Sequence, residues 1–133
     1  MNKLNVLNNL LVSIKNSYSN KSKYAYCKLN FLCINVLWAL YKEELICDFY
    51  VDKANAKIQI KLKYFKDKPI LSNVNLISKP SLTVFSNFNN LKKFSKNYDY
   101  FFISTSNGII SSTYATKNLN VGGIVLFGLK LNI

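Results

Sequence analysis

Three hydroxyl side chains and a glycine lie together in the segment Ser104-Thr105-Ser106-Asn107-Gly108, and a glycine pair follows at Gly122-Gly123. Hydroxyls both donate and accept hydrogen bonds, and a glycine lets a foreign backbone approach closely. Contacts to phosphate and ribose need such short polar groups rather than nucleophiles, so the segment predicts a nucleic-acid contact. The alternative, which the segment alone favours, is an Asn-Gly hairpin turn between residues 101–103 and 109–110.

The residue types argue against catalysis and metal binding. Histidine, the commonest general base and metal ligand, is absent. Cys27, Cys33 and Cys47 lack C-x-x-C spacing, so we expect buried, reduced thiols and no zinc site. A nucleophilic Ser104 or Ser106 would lack both a base and a G-x-S-x-G turn. We therefore expect no enzyme, no cofactor, no metal and no small-molecule substrate.

The charge is strongly unbalanced, because eighteen basic residues, all lysine, stand against six acidic ones and give a net charge of +12 over 133 residues. This excess predicts a polyanionic partner, either a nucleic acid or an anionic membrane surface. Lysine is a flexible point charge, so specificity for RNA would have to come from hydroxyl, amide and backbone groups. A basic peripheral membrane protein is the alternative, but it lacks a helix with an apolar face opposite a lysine face. The most apolar window, residues 31–41, is shorter than the ~20 residues that span a bilayer.

Hydrophobic spacing divides the first half of the chain into helices and strands. It predicts a first helix over residues 4–14, a loop over 16–23 and a second helix from 29 to about 44. Residues 46–51 are typical of a strand, and residues 57–64 alternate strictly between polar and apolar side chains. This alternation places Ile58, Ile60, Leu62 and Tyr64 on one face, which we expect to be buried, and lysines on the other.

A polar segment with a proline at residues 66–69 predicts a junction between an N-terminal subdomain, 1–69, and a C-terminal subdomain, 70–133. Downstream we expect short strands near 70–78, 81–85, 99–104 and 122–129, with helical turns near 90–96 and 111–118. The fold class is therefore α+β with two subdomains. Two helices would pack on a three-stranded sheet, and a mainly β unit with short helices would follow.

Several segments, in the right order over nearly the whole chain, resemble the bacterial-type small-subunit ribosomal protein eight (S-eight) family. Residues 104–110 match that family's most specific signature, Gly122-Gly123 its closing glycine pair, and Ile77-Ser78-Lys79-Pro80 its Ser-Arg/Lys-Pro-Gly turn. Residues 10–16 resemble its first-helix motif, 34–49 its second helix and following strand, and 62–65 its third strand. The shared order is stronger evidence than any single motif.

The resemblance implies a protein that binds the central domain of small-subunit rRNA beside neighbouring ribosomal proteins. It also implies that the protein organises the folding of this RNA during subunit assembly, with the C-terminal subdomain as the main RNA surface. The implied RNA-contact residues are Ser104, Thr105, Ser106, Asn107, Gly108, Gly122 and Gly123 around the signature, Lys79, Pro80, Ser81 and Phe85 beside it, and Ser13, Lys15 and Asn16 on the first helix.

The chain departs from the family pattern at positions that bear on the site. Asn107 replaces a lysine, Ile124 a glutamate, Ser81 a glycine and Phe85 a tyrosine. Glu44 replaces the glycine that ends the second helix, so we expect no left-handed cap there. These departures, with many residues that have AT-rich codons, predict a divergent, organelle-encoded member in the mitochondrial matrix ribosome. A plastid or an AT-rich bacterial cytoplasm is the alternative.

Overall fold

The computed structural model describes residues 3–77, 85–86, 98–105, 108–112 and 123–132. Two helices lie in the N-terminal half, α1 (Lys3–Ser19) and α2 (Phe31–Lys42). The strands are β1 (Tyr24–Lys28), β2 (Asp48–Asp52), β3 (Lys57–Lys61), β4 (Tyr64–Phe65), β5 (Lys68–Pro69), β6 (Leu71–Leu76), β7 (Phe85–Ser86), β8 (Tyr100–Thr105), β9 (Gly108–Ser111) and β10 (Gly123–Leu131). The predicted α+β class, with helices on a three-stranded sheet and then a mainly β region, is confirmed.

The first sheet is antiparallel with the strand order β1-β3-β2, and its inner face shares a buried cluster with the apolar sides of both helices. Leu37 of α2 has no exposed surface, nor have Ile58 and Ile60 of β3. Lys57 and Lys61 of β3 are exposed on the other face. The predicted alternation is therefore confirmed, and each isoleucine contributes about 1.5–3 kcal/mol through the apolar surface that it buries.

The prediction of a loop over residues 16–23 is wrong for its first four residues, because α1 continues to Ser19. Tyr18 explains the extension. Its ring packs edge-on against Tyr64 with the centroids 5.4 Å apart, and its hydroxyl donates to the carbonyl oxygen of Lys63 at 3.1 Å. Burial raises the pKa of the Tyr18 phenol, so the hydroxyl remains a donor. Tertiary packing here outweighs the modest helix propensity of asparagine and serine.

β1 is the third strand of the first sheet, and hydrophobic spacing did not predict its position. Its inward residues, Ala25 and Cys27, are small, so its alternation is weak. β3 ends at Lys61 rather than at residue 64, and the next two strands, β4 and β5, form a separate hairpin. Lys66 and Asp67 between them both have positive φ, 51° and 65°, as a two-residue type I′ turn requires.

The expectation that α2 lacks a left-handed cap is wrong. Glu44 has a φ of 59°, its N–H donates to the carbonyl oxygen of Tyr41 at 3.0 Å, and the N–H of Leu45 donates to that of Leu40 at 3.0 Å. These two bonds form the Schellman pattern, which a glycine usually completes. The conformation is held because Leu45 is buried and because the Lys63 ammonium donates to the Glu44 carbonyl oxygen at 2.9 Å.

β10 is the central strand of the second sheet, whose order is β6-β10-β8-β9, with β7 also paired to β10. Phe102 of β8 and Phe127 of β10 have no exposed surface, and their rings stack with centroids 4.8 Å apart. Leu71 and Val74 of β6 join the same buried cluster as the helices and the first sheet. One hydrophobic core therefore runs through both halves of the chain.

The strands predicted near 70–78, 99–104 and 122–129 are confirmed as β6, β8 and β10. The helical turn predicted near 111–118 begins one residue later, because Ser111 still lies in β9, where its hydroxyl donates to the Glu43 carboxylate at 2.6 Å, and Ser112 is helical. Residues 113–118 lie outside the described residues. Of the strand predicted at 81–85, only Phe85 lies within the described residues, where it begins β7. The turn predicted at 90–96 lies outside them, and the junction at residues 66–69 stays a prediction.

The three cysteines are free thiols, but the expectation that all are buried is wrong. Cys33 is buried and Cys27 partly buried, whereas Cys47 is exposed. The thiols of Cys27 and Cys33 hydrogen-bond to each other, which raises the pKa of Cys27 and lowers that of Cys33. Among the described residues, no group of three or more histidine, cysteine, aspartate or glutamate side chains could hold a metal ion.

Replacing Glu44 by glycine is expected to stabilise the protein. A left-handed backbone costs a non-glycine residue about 1–2 kcal/mol, and the greater chain entropy of glycine in the unfolded state offsets part of the gain. Glu44→Gly should therefore raise the free energy of unfolding by about 0.5–1 kcal/mol, measured by urea denaturation.

Glu43→Gly is the matched control, one residue earlier in the chain. Glu43 has a φ of −88° and accepts the hydrogen bond from Ser111, so its replacement should destabilise the protein. A Glu44→Gly variant that is no more stable than the parent would contradict the left-handed assignment.

Candidate nucleic-acid interface

The signature segment lies at the tip of the hairpin that β8 and β9 form. Thr105 pairs with Gly108 and Ser104 with Ile109, so residues 106 and 107 connect the two strands. The Thr105 hydroxyl donates to the carbonyl oxygen of Gly108 at 2.8 Å, which closes the hairpin. The predicted hairpin pairing is therefore confirmed, but Gly108 belongs to β9 rather than to an Asn-Gly turn, and residues 106 and 107 lie outside the described residues. The pairing does not exclude an RNA contact, because the end of a hairpin projects beyond the paired strands, where its polar groups can reach a partner.

Two further strands end beside this hairpin. Ser104 pairs with Ile124 of β10, and Ile124 pairs with Phe85 of β7, so one row crosses four strands. The structure thus brings together, at one end of the sheet, the predicted contact residues Ser104, Thr105, Gly108, Gly123 and Phe85. The other predicted contacts near the signature lie outside the described residues: Ser106, Asn107, Gly122, Lys79, Pro80 and Ser81.

Gly123 allows β10 to approach β8 closely at the base of the hairpin. A Cβ atom at this position would overlap the carbonyl oxygen of Ser104, so a side chain would push the two strands apart. Ile124, where the related family has a glutamate, is partly buried, packs against the core and pairs with Ser104. The base of the hairpin is therefore held by backbone pairing and apolar packing.

The predicted contact residues of α1 lie near the opposite edge of this sheet. α1 packs against β6, and the order β6-β10-β8-β9 places the hairpin at the other edge. Lys15 and Asn16 are exposed, and Lys15 lines a groove of about 300 Å³ together with Ser72. The Ser13 hydroxyl instead donates to the carbonyl oxygen of Tyr26 at 2.6 Å and ties α1 to β1. The structure therefore keeps the two groups of predicted contacts apart.

Reasoning from sequence missed the exposed tyrosines of the first sheet. Tyr26 of β1 and Tyr50 of β2 are 55% and 65% exposed, and Tyr24 of β1 is also exposed. Because β1 was not predicted, its tyrosines could not be assigned to a face. The alternation Tyr-Ala-Tyr-Cys-Lys was the signal that could have shown it.

The described surface combines exposed lysines, a hydroxyl-bearing hairpin and open aromatic rings on an α+β scaffold. In the part of the chain that the structure describes, no helix has both the length and the apolar character needed to cross a membrane. Lysines with hydroxyls and aromatic rings are the groups of a protein that binds a polyanion rather than of a catalyst. The fold and the surface therefore define a small basic binding protein.

Comparison with known proteins gives the family. The model of ribosomal protein S8 matches residues 5–129. The small ribosomal subunit protein uS8m of Acanthamoeba castellanii is 32% identical over 131 residues, which cover 97% of this chain and 100% of that protein. The small ribosomal subunit proteins uS8 of Ehrlichia canis and Caulobacter vibrioides are 30% and 32% identical over 123 residues, covering 90% of this chain and 92% of each relative.

The chain therefore belongs to the ribosomal protein S8 family, and the resemblance found in the sequence is confirmed. It is a structural protein of the small ribosomal subunit and not an enzyme.

A methyl group at Gly123 should destabilise the protein and open the base of the hairpin. It would overlap the Ser104 carbonyl oxygen, and overpacking of this kind costs about 1–3 kcal/mol. Urea denaturation of Gly123→Ala gives the free energy, and amide hydrogen exchange in β8 locates the opening. Lys130→Ala changes an exposed residue of the same strand and should cost less than about 0.5 kcal/mol. Equal stability of Gly123→Ala and the parent would show that β10 and β8 are not this close.

Proposed function

We propose that this protein binds the central domain of small-subunit rRNA through the tip of the β8–β9 hairpin and organises that RNA during subunit assembly. The observation that supports this is the row of paired residues from Phe85 to Ile109, which gathers the predicted contacts at one end of the sheet. The proposed contacts are Ser104, Thr105, Ser106, Asn107, Gly108, Gly122, Gly123, Lys79, Pro80, Ser81 and Phe85, with Lys15 and Asn16 as a second contact on α1 and Ser13 fixing that helix.

The hairpin offers short hydrogen-bonding groups on a rigid support. Phe102 and Ile103, which precede the signature in β8, have no exposed surface. The strand that carries Ser104 and Thr105 is therefore fixed before RNA arrives, and little conformational entropy is lost on binding. Hydroxyl and backbone groups held in this way suit recognition of RNA shape and of the ribose 2′-hydroxyl.

The lysines supply attraction without sequence recognition. A net charge of +12 favours association with RNA phosphates, and each lysine that neutralises a phosphate releases a counterion. Without arginine, the chain has no planar fork that could bind a phosphate or a guanine edge in bidentate fashion. Discrimination between the central-domain stem and other RNA then depends on the hydroxyl, amide and backbone groups of the tip.

The proposed setting is a mitochondrial ribosome, where the protein would contact other small-subunit proteins. The relative from Acanthamoeba castellanii carries the suffix of a mitochondrial protein and matches the chain over nearly its full length. Asn107 and Ile124, which replace charged residues of the family pattern, fit an organellar member whose RNA has also changed. Co-sedimentation of the protein with mitochondrial small subunits at moderate salt tests this setting.

Removing the hydroxyls of the tip should impair specific recognition more than general RNA binding. Thr105→Val with Ser106→Ala leaves the charge unchanged and, at residue 105, keeps the shape of the side chain. The Thr105 hydroxyl donates its proton to the Gly108 carbonyl oxygen and can only accept from RNA, a bond that contributes about 0.5–1.5 kcal/mol, whereas a bond from Ser106 to a phosphate contributes about 1.5–3 kcal/mol. Losing both should weaken binding to central-domain rRNA about thirtyfold or more. Binding to a scrambled stem of the same length should change little. Filter binding at one salt concentration measures both affinities.

Two control variants accompany this test. Thr105→Ser with Ser106→Thr keeps both hydroxyls and should bind like the parent. Lys92→Ala removes one charge outside the signature and should weaken binding to both RNAs modestly and equally. If the variant without hydroxyls binds its own rRNA as tightly as the parent, the hairpin is a turn with no role in recognition.

Binding should also weaken steeply with salt. If about six lysine–phosphate contacts form, the affinity for rRNA should fall about a thousandfold between roughly 50 and 200 mM monovalent salt. Fluorescence anisotropy at a series of salt concentrations gives the slope. An affinity that does not depend on salt would contradict the role assigned to the lysines.

A further inference from the structure

The outer face of the first sheet carries an ordered array of tyrosines and lysines, which we call the tyrosine face. It consists of the residues of β1, β3 and β2 that alternate with the inward residues Ala25, Ile58 and Ile60. The strand register aligns them in rows across the sheet: Tyr24–Lys61–Asp48, Tyr26–Gln59–Tyr50 and Lys28–Lys57–Asp52.

The two tyrosines of the middle row present their rings to solvent. Tyr26 is 55% exposed and Tyr50 is 65% exposed. Gln59 lies between them and donates its side-chain amide hydrogen to the Tyr26 hydroxyl at 3.2 Å. Adjacent strands lie about 4.8 Å apart, which places the two tyrosine backbones roughly 10 Å from each other. The row therefore offers two stacking positions on one face of the sheet.

Charge on the tyrosine face changes from one edge to the other. Lys28 on β1 and Lys57 and Lys61 on β3 are exposed, whereas Asp48 and Asp52 lie on β2. A side-chain hydrogen bond from a neighbouring asparagine lowers the pKa of the Asp52 carboxyl, which therefore stays ionised at neutral pH. A phosphate backbone would follow β1 and β3 and avoid the edge formed by β2.

We infer that the tyrosine face binds unpaired RNA nucleotides, with bases stacked on Tyr26 and Tyr50 and phosphates beside the lysines of β1 and β3. Every base has a π-face, so stacking on aromatic rings tolerates sequence, while a basic groove follows the backbone. A sheet that displays aromatic side chains is a recurring support for single-stranded RNA. A protein partner fits this face less well, because the lysines and aspartates beside the tyrosines are depleted in protein–protein interfaces, although tyrosine itself is enriched there.

The tyrosine face is a different surface from the hairpin, and it adjoins α1, where Ser13 hydrogen-bonds to the Tyr26 carbonyl oxygen. It faces away from the buried cluster that α1 and α2 share with the sheet, whereas β9 of the hairpin packs on α2. The inference rests on the proposed function in that both partners are parts of the rRNA. It can nevertheless fail alone, because the hairpin would hold a stem and the tyrosine face an unpaired strand.

Binding of a fluorescein-labelled oligouridine of about ten nucleotides to the full chain, followed by anisotropy, tests the inference. Tyr26→Ala and Tyr50→Ala should each weaken binding by roughly five- to 150-fold, the range for stacking of one base on an aromatic ring. Tyr50→Phe keeps the ring and should bind like the parent, whereas Tyr26→Phe keeps the ring but loses the bond from Gln59 and should weaken binding less than Tyr26→Ala does. The loss in the alanine variants should persist at high salt, because salt weakens phosphate contacts far more than stacking.

Phe65→Ala is the matched control. Phe65 is 61% exposed, between the values of the two tyrosines, but it lies in β4 and the Lys66 ammonium is 5.4 Å from its ring centroid. Its replacement should leave oligouridine binding unchanged. The hairpin variant Thr105→Val with Ser106→Ala should also bind oligouridine like the parent, while the tyrosine variants should keep the preference for the central-domain stem. This pattern distinguishes failure of the inference from failure of the proposed function.

Ultraviolet crosslinking of assembled small subunits, followed by mass spectrometry, examines the same face in the particle. Crosslinks from Tyr26 or Tyr50 to nucleotides would support the inference. Crosslinks from these tyrosines to protein alone would overturn it. So would oligouridine binding that the alanine variants leave unchanged, or that Phe65→Ala weakens to the same extent.

Discussion

The close pairing of β10 with strands on both of its sides is the constraint on which the C-terminal half depends. β6 and β7 pair with one side and β8 with the other. Gly123 leaves room for the Ser104 carbonyl oxygen, Gly128 leaves room for the Tyr98 ring, and Phe127 between them stacks on Phe102. Because β8 is fixed in this way, the hairpin that it forms with β9 has a defined position, and so do Ser104, Thr105 and Gly108.

The same core joins the two halves of the chain. The buried cluster includes residues of α1, α2 and the first sheet together with Leu126 and Phe127 of β10. At the end of α2, Glu43 accepts a hydrogen bond from Ser111 of β9, and Glu44 adopts the left-handed conformation that buries Leu45. The hairpin is therefore supported from two directions, by β10 within the sheet and by the end of α2.

Local patterns predicted the elements whose stability is itself local, and tertiary contacts decided the rest. β3 could be predicted because its isoleucines recur at every second residue. The end of α1 could not, since it depends on Tyr18 packing against Tyr64, far away in sequence. The conformation of Glu44 depends likewise on Lys63, 19 residues later. At the site, the hairpin could be predicted from five consecutive residues. The positions of Phe85 and Gly123 beside it could not, because they depend on the order of the strands in the sheet.

A chain whose positive charges are all lysines has to obtain its geometric specificity from other groups. Lysine attracts phosphate from many directions, because its ammonium is a mobile point charge. The Thr105 hydroxyl is oriented by its bond to the Gly108 carbonyl oxygen, and the Tyr26 ring by the bond that its hydroxyl accepts from Gln59. In both places an internal hydrogen bond holds a group that the proposals assign to RNA contact. In the proposed function the lysines would supply attraction alone, and the groups held by the sheets would select the shape of the RNA.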